Sequence, residues 1–167
     1  RGIPTGFGAI DNIMGGMRKG EYILLAARPS IGKTALAINI AQNLIMRNQT
    51  VAFFSLEMGK DQLVERLLRG MALIENDKLL KRNKQKMLQE DWDKVRNVAG
   101  YIFNKSFYID DNPASTVGEM LSMSRRLKRT EGLDLVIIDY LQLIQSNVNG
   151  SRREQVEQVS RDLKRMA

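Results

Sequence analysis

One short segment between an apolar run and a helix-forming run constrains this chain more than any other. It reads Ala27, Arg28, Pro29, Ser30, Ile31, Gly32, Lys33 and Thr34. The apolar residues at 22–26 predict a buried strand before it, and the apolar spacing over 35–46 predicts a helix after it. A strand, a tight loop and a helix N-terminus in this order are the setting of a phosphate-binding loop, or P-loop.

The P-loop predicts a nucleotide-binding site. Its backbone N–H groups and the positive end of the helix dipole attract phosphate anions. We expect Lys33 to reach the β- and γ-phosphates and the Thr34 hydroxyl to hold Mg²⁺. Ala27 stands where the stricter pattern has its first glycine, so a modest change of loop geometry is expected. The alternative, a glycine turn beside a solvated lysine, leaves the flanking strand and helix unexplained.

The composition restricts the chemistry that the chain can perform. Its 167 residues suffice for one domain with a hydrophobic core, divided into a lead-in segment, 1–20, and a P-loop core, 21–167. Cysteine and histidine are both absent from the sequence, which excludes disulfides, thiolate chemistry, histidine-based triads and histidine-bound metals. No apolar run has the length of a membrane span and no signal-peptide pattern opens the chain, so a cytoplasmic enzyme without a membrane partner is expected.

The net charge of +7 suits a polyanionic partner such as nucleic acid. The densest basic stretch, residues 78–86, contains no aromatic residue, so either a solvated helix face or a nucleic-acid contact fits it. Trp92 is expected to pack in a core rather than to stack on a base. Charge alone therefore does not identify the partner.

Apolar runs and helical spacings alternate along the chain, which predicts an α/β fold. The expected strands are 22–26, 51–56, 107–110 and 135–139. The expected helices are 9–14, 35–47, 61–72, a polar one over 76–100, 116–130 and 151–167. A capping box of Thr116 and Glu119 predicts the start of the fifth helix, and Gly132 predicts its end. Strands that alternate with helices imply right-handed crossovers and therefore a parallel sheet flanked by helices.

Two acidic residues follow predicted strands. In an open parallel sheet, ligands bind beyond the carboxyl ends of the strands, where the P-loop also lies. Asp139 follows four apolar residues, the Walker B pattern, and is expected to hold Mg²⁺, with a turn or capping aspartate as the alternative. Glu57 is either a surface glutamate or the carboxylate that orients the attacking water. Gln142 either hydrogen-bonds near the phosphates as part of the nucleotide site or has a structural role.

Three motifs in order carry a family resemblance. They are ARPSIGKT at 27–34, FFSLEM at 53–58 and VIIDYLQLI at 136–144. Together with GIPTGFGAID at 2–11 and the helix-forming segment at 151–167, they resemble the RecA-like ATPase domain of bacterial replicative DNA helicases of the DnaB type. The resemblance is weakest over 74–106, and Ile31 and Gly59 stand where methionine and serine are expected.

The resemblance implies a RecA-like P-loop NTPase core that uses ATP and Mg²⁺. It assigns the Walker A role to Lys33 and Thr34, the Walker B role to Asp139 and the water-activating role to Glu57. It further implies a homo-hexameric ring that moves on single-stranded DNA and unwinds the duplex during DNA replication, with a primase and a helicase loader as partners.

The resemblance also implies parts that this sequence does not contain. The family continues with a sensor strand, DNA-contacting loops and a basic finger that serves the neighbouring subunit. The sensor strand is expected between the strands at 22–26 and 135–139, so its absence leaves a gap in the sheet. We therefore expect a partial domain that has little or no ATPase activity of its own.

Other classes of P-loop protein stay open as alternatives. A recombinase-type RecA-like ATPase is one, although SLEM at 55–58 and DYLQL at 139–143 argue against it. A nucleotide-binding switch or a kinase would bind nucleotide without translocating on DNA. The sequence lacks the Asn-Lys-x-Asp run that reads guanine, and we identify no acceptor site or lid of a kinase in it.

Overall fold

A computed structural model describes residues 2–28, 30–74, 87–105, 107–139 and 151–167. Six helices and three strands lie in these ranges. The helices are α1 (Gly8–Met14), α2 (Lys33–Met46), α3 (Lys60–Ala72), α4 (Gln89–Phe103), α5 (Val117–Thr130) and α6 (Arg152–Met166). The strands are β1 (Val51–Ser55), β2 (Phe107–Asp110) and β3 (Leu135–Asp139), which confirms three of the four predicted strands.

The three strands form a parallel sheet in the order β2-β1-β3. Val51 of β1 pairs with Phe107 of β2 and Leu135 of β3, and the same register brings Ser55 opposite Asp139. Strands buried on both faces of a parallel sheet are apolar almost throughout. All five residues of β1 are buried, so its composition explains why it takes the central position.

Alternate residues of β1 face two different helical layers, because successive side chains of a strand point to opposite faces. Phe53 packs against α2 and α3, and Phe54 packs against α5 and α6. The buried helical residues on the first face include Ile38, Leu44, Leu63 and Leu67. Those on the second face include Met120, Leu127, Val159 and Leu163. The result is a sheet between two helical layers, which confirms the predicted α/β class.

Local signals in the sequence set the bounds of α5. Thr116 and Glu119 form the expected capping box, in which the Glu119 amide donates to Thr116 Oγ1 at 3.3 Å and the Thr116 amide donates to Glu119 Oε2 at 2.8 Å. Gly132 follows the helix with φ +74°, a left-handed conformation that glycine adopts without strain. Both ends of α5 are therefore determined by residues next to it in the chain.

The lead-in segment folds against α2. Ile3 and Met17 form an antiparallel bridge, and the Asn43 side chain of α2 donates to the Thr5 carbonyl at 2.9 Å. Asp11 accepts from the Thr5 amide at 2.7 Å and from the Thr5 hydroxyl at 2.8 Å. Burial pushes the pKa of Asp11 upward, but the hydrogen bonds from Thr5 and Gly6 and the charge of Arg47 hold it below its ordinary value. The deprotonated Asp11 thus holds Thr5 and Gly6 of the lead-in segment in place through these hydrogen bonds.

The strand predicted at 22–26 is wrong. Residues 21–28 have no regular structure, and Ile23, Leu24 and Leu25 are 43%, 64% and 42% exposed. An apolar run becomes a strand only when it pairs with a neighbouring strand, and residues 21–28 pair with none of the three strands described. Within the described residues, β3 pairs with β1 alone, and no strand lies between β3 and this run. The sensor strand expected there stays a prediction.

The polar helix predicted over 76–100 is found as α4, which begins at Gln89 and ends at Phe103. Residues 75–86, with the basic stretch, lie outside the described residues. Trp92 is half-buried against a small core of Ala72, Ile74 and Met87, which confirms the packing role predicted for it. None of the helices described is long and apolar enough to cross a lipid bilayer.

Candidate nucleotide-binding site

The P-loop ends at the N-terminus of α2, as predicted. Gly32 caps the helix with φ +104°, a conformation that favours glycine although the space around it is open. The Leu36 amide donates to the Gly32 carbonyl at 2.9 Å, and this bond closes the first turn. Residues 30–32 are exposed, so an anion can approach this N-terminus, the end at which helices in general offer backbone N–H donors. Pro29 lies outside the described residues.

Lys33 and Thr34, in the first turn of α2, both contact Asp139. The Thr34 hydroxyl donates to Asp139 Oδ2 at 2.6 Å, and Lys33 Nζ lies 3.3 Å from Asp139 Oδ1. The Asp139 side chain is only 4% exposed, whereas that of Lys33 is 27% exposed. A buried carboxylate requires partners of this kind, because an unpaired charge away from water is unfavourable. The three residues, which belong to two separate motifs, therefore form one cluster.

The sheet explains why Asp139 reaches the P-loop. Asp139 is the last residue of β3, at the carboxyl edge where ligands of parallel sheets bind. Helix α2 packs on the sheet through its buried face, so its first turn lies at the same edge. The register continues one residue further, since the Leu56 amide donates to the Asp139 carbonyl at 2.8 Å.

The donor set fits Mg²⁺. The Thr34 hydroxyl and one carboxylate are hard oxygen ligands, and Mg²⁺ commonly takes one or two carboxylates, several waters and the phosphates of its nucleotide. No group of three or more acidic residues that could cage a metal by itself occurs in the ranges that the structure describes. Thr34 and Asp139 could therefore hold a nucleotide-bound Mg²⁺, with Lys33 near enough to contact its phosphates.

Glu57 lies two residues beyond the end of β1 and is exposed. Its neighbours connect it to the same sheet edge, because Ser55 is opposite Asp139 and Leu56 is bonded to it. This position agrees with a carboxylate that faces bound nucleotide, and its role stays a prediction. Gln142 lies outside the described residues.

Two residues to which the sequence assigned no role at the site hold the segment between β1 and α3 that carries Glu57. Ser55 Oγ donates to the Met58 carbonyl at 2.7 Å, and Asp111 Oδ2 accepts from the Lys60 amide at 2.9 Å. The sequence signal for Asp111 was indirect. Gly59, the N-cap of α3, has no side chain that could accept from the amides of the first turn, so an acceptor from elsewhere in the chain was needed.

The sheet, the P-loop and the Lys33–Thr34–Asp139 cluster define a P-loop nucleotide-binding domain of the RecA-like class. A sequence model of the family described as DnaB-like helicase C terminal domain matches residues 2–167. The chain belongs to this family, which confirms the resemblance seen in its motifs.

Similar proteins agree with this assignment. The chain is 44% identical over 169 residues to the replicative DNA helicase DnaC of Bacillus subtilis (strain 168), covering 99% of this chain and 37% of that protein. It is 43% identical to the replicative DNA helicase DnaB of Geobacillus stearothermophilus, with the same coverage. The chain thus spans little more than a third of the length of these relatives.

Two solved structures superpose on almost the whole chain. One is described as an ATPase domain and matches with a TM-score of 0.91 at 37% identity, covering 99% of this chain and 59% of the other. The second, a DnaB-like replicative helicase solved in a study of its interactions with primase, matches with a TM-score of 0.91 at 38% identity, covering 99% and 40%. These matches confirm the RecA-like fold.

Proposed function

We propose that this chain is the ATPase motor of a replicative DNA helicase. In this role it couples hydrolysis of Mg²⁺-ATP to movement along single-stranded DNA and to duplex unwinding during replication. The contact of Lys33 and Thr34 with the buried Asp139 is the observation that carries the proposal. The replicative helicases among its relatives support the coupling to DNA.

The nucleotide site is assembled from the P-loop and the sheet edge. The loop at 27–34 surrounds the phosphates with the backbone N–H groups of its residues other than Pro29, and Lys33 contributes a positive charge to them. Thr34 and Asp139 would hold the Mg²⁺, which would neutralise charge on the phosphate oxygens. Gln142 joins the same surface as a nucleotide-facing residue.

Lys33 has two possible partners in this proposal. Its ammonium pairs with Asp139 in the structure described, and its side chain is partly exposed. A bound nucleotide offers phosphate oxygens as further acceptors for the same charge. Asp139 keeps the Thr34 hydroxyl as a partner when Lys33 turns toward phosphate.

Glu57 is the group that orients and deprotonates the attacking water. A carboxylate beyond the end of β1 lies at the edge where the γ-phosphate is expected, and an exposed position gives it access to water. Lys33 assists at the same step by stabilising negative charge on the phosphates.

The intact protein is proposed to act as a cytoplasmic homo-hexamer on single-stranded DNA, with a primase and a helicase loader as partners. The relative solved in a study with primase supports the first of these partners. In P-loop enzymes an arginine finger supplied by a neighbouring subunit contributes about 10³–10⁵ in rate. In a hexameric ring, each active site would therefore receive its arginine finger from the neighbouring subunit.

The test is whether single-stranded DNA stimulates ATP hydrolysis by the full-length protein. A motor is expected to show stimulation that Lys33→Ala abolishes, together with ATP-dependent unwinding of a forked duplex. Nucleotide binding without any effect of DNA on turnover would instead support a switch. Strand pairing without unwinding would support a recombinase.

A further inference from the structure

The segment that carries Glu57 connects β1 to α3 and is held by hydrogen bonds from other elements. On its β1 side, the Leu56 amide donates to the Asp139 carbonyl at 2.8 Å. On its α3 side, the Lys60 amide donates to Asp111 Oδ2 at 2.9 Å. Glu57 itself is exposed, so packing does little to hold its side chain and its direction depends on this backbone.

Asp111 replaces a helix cap that α3 lacks. Helix N-termini leave backbone N–H groups without partners, and a serine, threonine, aspartate or asparagine at the N-cap usually accepts from them. The N-cap of α3 is Gly59, which has no side chain for this purpose. Asp111 belongs to the turn after β2, and its carboxylate supplies the missing acceptor and a negative charge at the positive end of the helix.

We propose that Asp111 is a positioning residue for Glu57 in ATP hydrolysis. By accepting from the first amide of α3, it fixes the segment from Glu57 to Lys60 and so the direction of the Glu57 carboxylate. This inference rests on the proposed function, because it requires Glu57 to act on the attacking water. Asp111 touches neither nucleotide nor water in this role and acts only through the backbone.

The first experiment measures steady-state ATP hydrolysis by the full-length protein with Asp111→Ala. A displacement of about 1 Å in a reacting group can cost up to 10²-fold in rate, so we expect a loss of roughly tenfold in kcat. KM for ATP stays within about twofold, because the hydrogen bond described for Asp111 is to the Lys60 amide and not to the P-loop. Asp111→Asn keeps an acceptor oxygen and retains most of the activity.

A matched control separates positioning from stability. Asp134 Oδ2 also accepts a backbone amide from another element, that of Thr50 at 2.8 Å, but at the opposite end of β1. Asp134→Ala therefore removes the same kind of bond far from Glu57. We expect it to lower the melting temperature as much as Asp111→Ala does, while kcat stays within about twofold of the wild type.

A second variant separates capping of α3 at Gly59 from the hydrogen bond between Asp111 and the Lys60 amide. The backbone of Gly59, with φ −63° and ψ 149°, suits any residue, and a Cβ there would meet only Asp111 Oδ2 at 3.9 Å. Gly59→Ser therefore fits, and its hydroxyl would accept from the second or third amide of α3 and not from the Lys60 amide. In the Asp111→Ala background it is expected to raise the melting temperature without restoring kcat, because a hydroxyl at the N-cap does not reach the Lys60 amide.

A double-mutant cycle links the effect to Glu57. Since Asp111 acts through Glu57, adding Asp111→Ala to Glu57→Gln should lower the residual rate by less than twofold. An unchanged kcat in Asp111→Ala, or a full tenfold loss in the Glu57→Gln background as well, would overturn the inference. If Asp111→Ala fails to fold, Ser55→Ala tests the same segment, because Ser55 Oγ donates to the Met58 carbonyl. A normal kcat in Ser55→Ala would also count against the inference. A wild-type protein without ATPase activity would contradict the proposed function instead.

Discussion

The Thr34 hydroxyl donates to the Asp139 carboxylate at 2.6 Å, although the two residues are 105 positions apart in the chain. Lys33 Nζ lies 3.3 Å from the other carboxylate oxygen, so each oxygen of Asp139 has a partner from the first turn of α2. Replacing Asp139 would disturb both contacts and a buried position together. Lys33 is the better residue for a test of the P-loop, because Asp139 keeps its bond to Thr34 when the lysine is removed.

Lys33→Ala is expected to weaken the binding of Mg²⁺-ATP by roughly ten- to a hundredfold. The lost contact is a charge-assisted hydrogen bond, worth about 1.5–3 kcal/mol. Isothermal titration calorimetry on the wild type and the variant measures the difference. Lys164→Ala, an exposed lysine near the end of α6, serves as the control and should bind as the wild type does. Equal affinities for wild type and Lys33→Ala would show that the P-loop assignment is wrong.

Glu57→Gln is expected to retain ATP binding and to lose hydrolysis by about 10²-fold or more in the full-length protein. The substitution keeps the shape of the side chain and removes the negative charge that orients water. Glu90→Gln in α4 is a matched control, since Glu90 forms an exposed ion pair with Lys94. Turnover near the wild-type rate in Glu57→Gln would mean that Glu57 is an ordinary surface glutamate.

The sequence predicted those parts of the fold that depend on neighbouring residues. The capping box of Thr116 and Glu119 and the apolar run of β3 before Asp139 are local patterns, and both are found. The strand at 22–26 was predicted wrongly because an apolar run signals burial, while a strand also needs a partner edge, which can come from anywhere in the chain. Asp111 was missed for a related reason, since the amide that it accepts from is 51 positions away.

Phe53→Ala is expected to destabilise the fold by about 3–5 kcal/mol, the usual cost of removing a buried aromatic ring. Phe53 is 1% exposed and packs on α2, the helix that carries Lys33 and Thr34. Chemical denaturation followed by circular dichroism gives the free energy of unfolding. Ile13→Ala, at a position 87% exposed on α1, should change that energy by less than about 0.5 kcal/mol. A loss below about 1 kcal/mol for Phe53→Ala would contradict the central position of β1.

The docking of the lead-in segment is expected to depend on pH through Asp11. The pKa of Asp11 is lowered in the folded state, so its contribution to stability is complete above the unfolded value of about 4. That contribution is lost as the pH falls through the lower, folded pKa. The difference in melting temperature between wild type and Asp11→Asn should therefore be constant from about pH 5 to 7 and shrink below about pH 4. A difference that persists unchanged at about pH 2 would show that the charge of Asp11 is not what closes the segment.

The 167-residue chain alone is expected to hydrolyse ATP negligibly and to show no unwinding. The reason is that an arginine finger from a neighbouring subunit, as the family resemblance implies, is worth about 10³–10⁵ in rate. A phosphate-release assay with and without single-stranded DNA checks this directly, with the full-length protein as the positive control. DNA-stimulated hydrolysis by the 167 residues at a rate near that of the full-length protein would show that they form a complete active site.

The same chain is expected to self-associate through the apolar run at 23–25. Exposed contiguous apolar surface favours association between chains, and Leu24 is the most exposed of the three residues at 64%. Leu24→Lys places a charge in the run and should shift sedimentation-velocity profiles toward the monomer. Ile13→Lys changes another exposed apolar residue, on α1 and outside the run, and should leave the profiles as they are. Association that is equal in both variants would assign it to another surface, and a wild-type chain that is monomeric at all concentrations would exclude it.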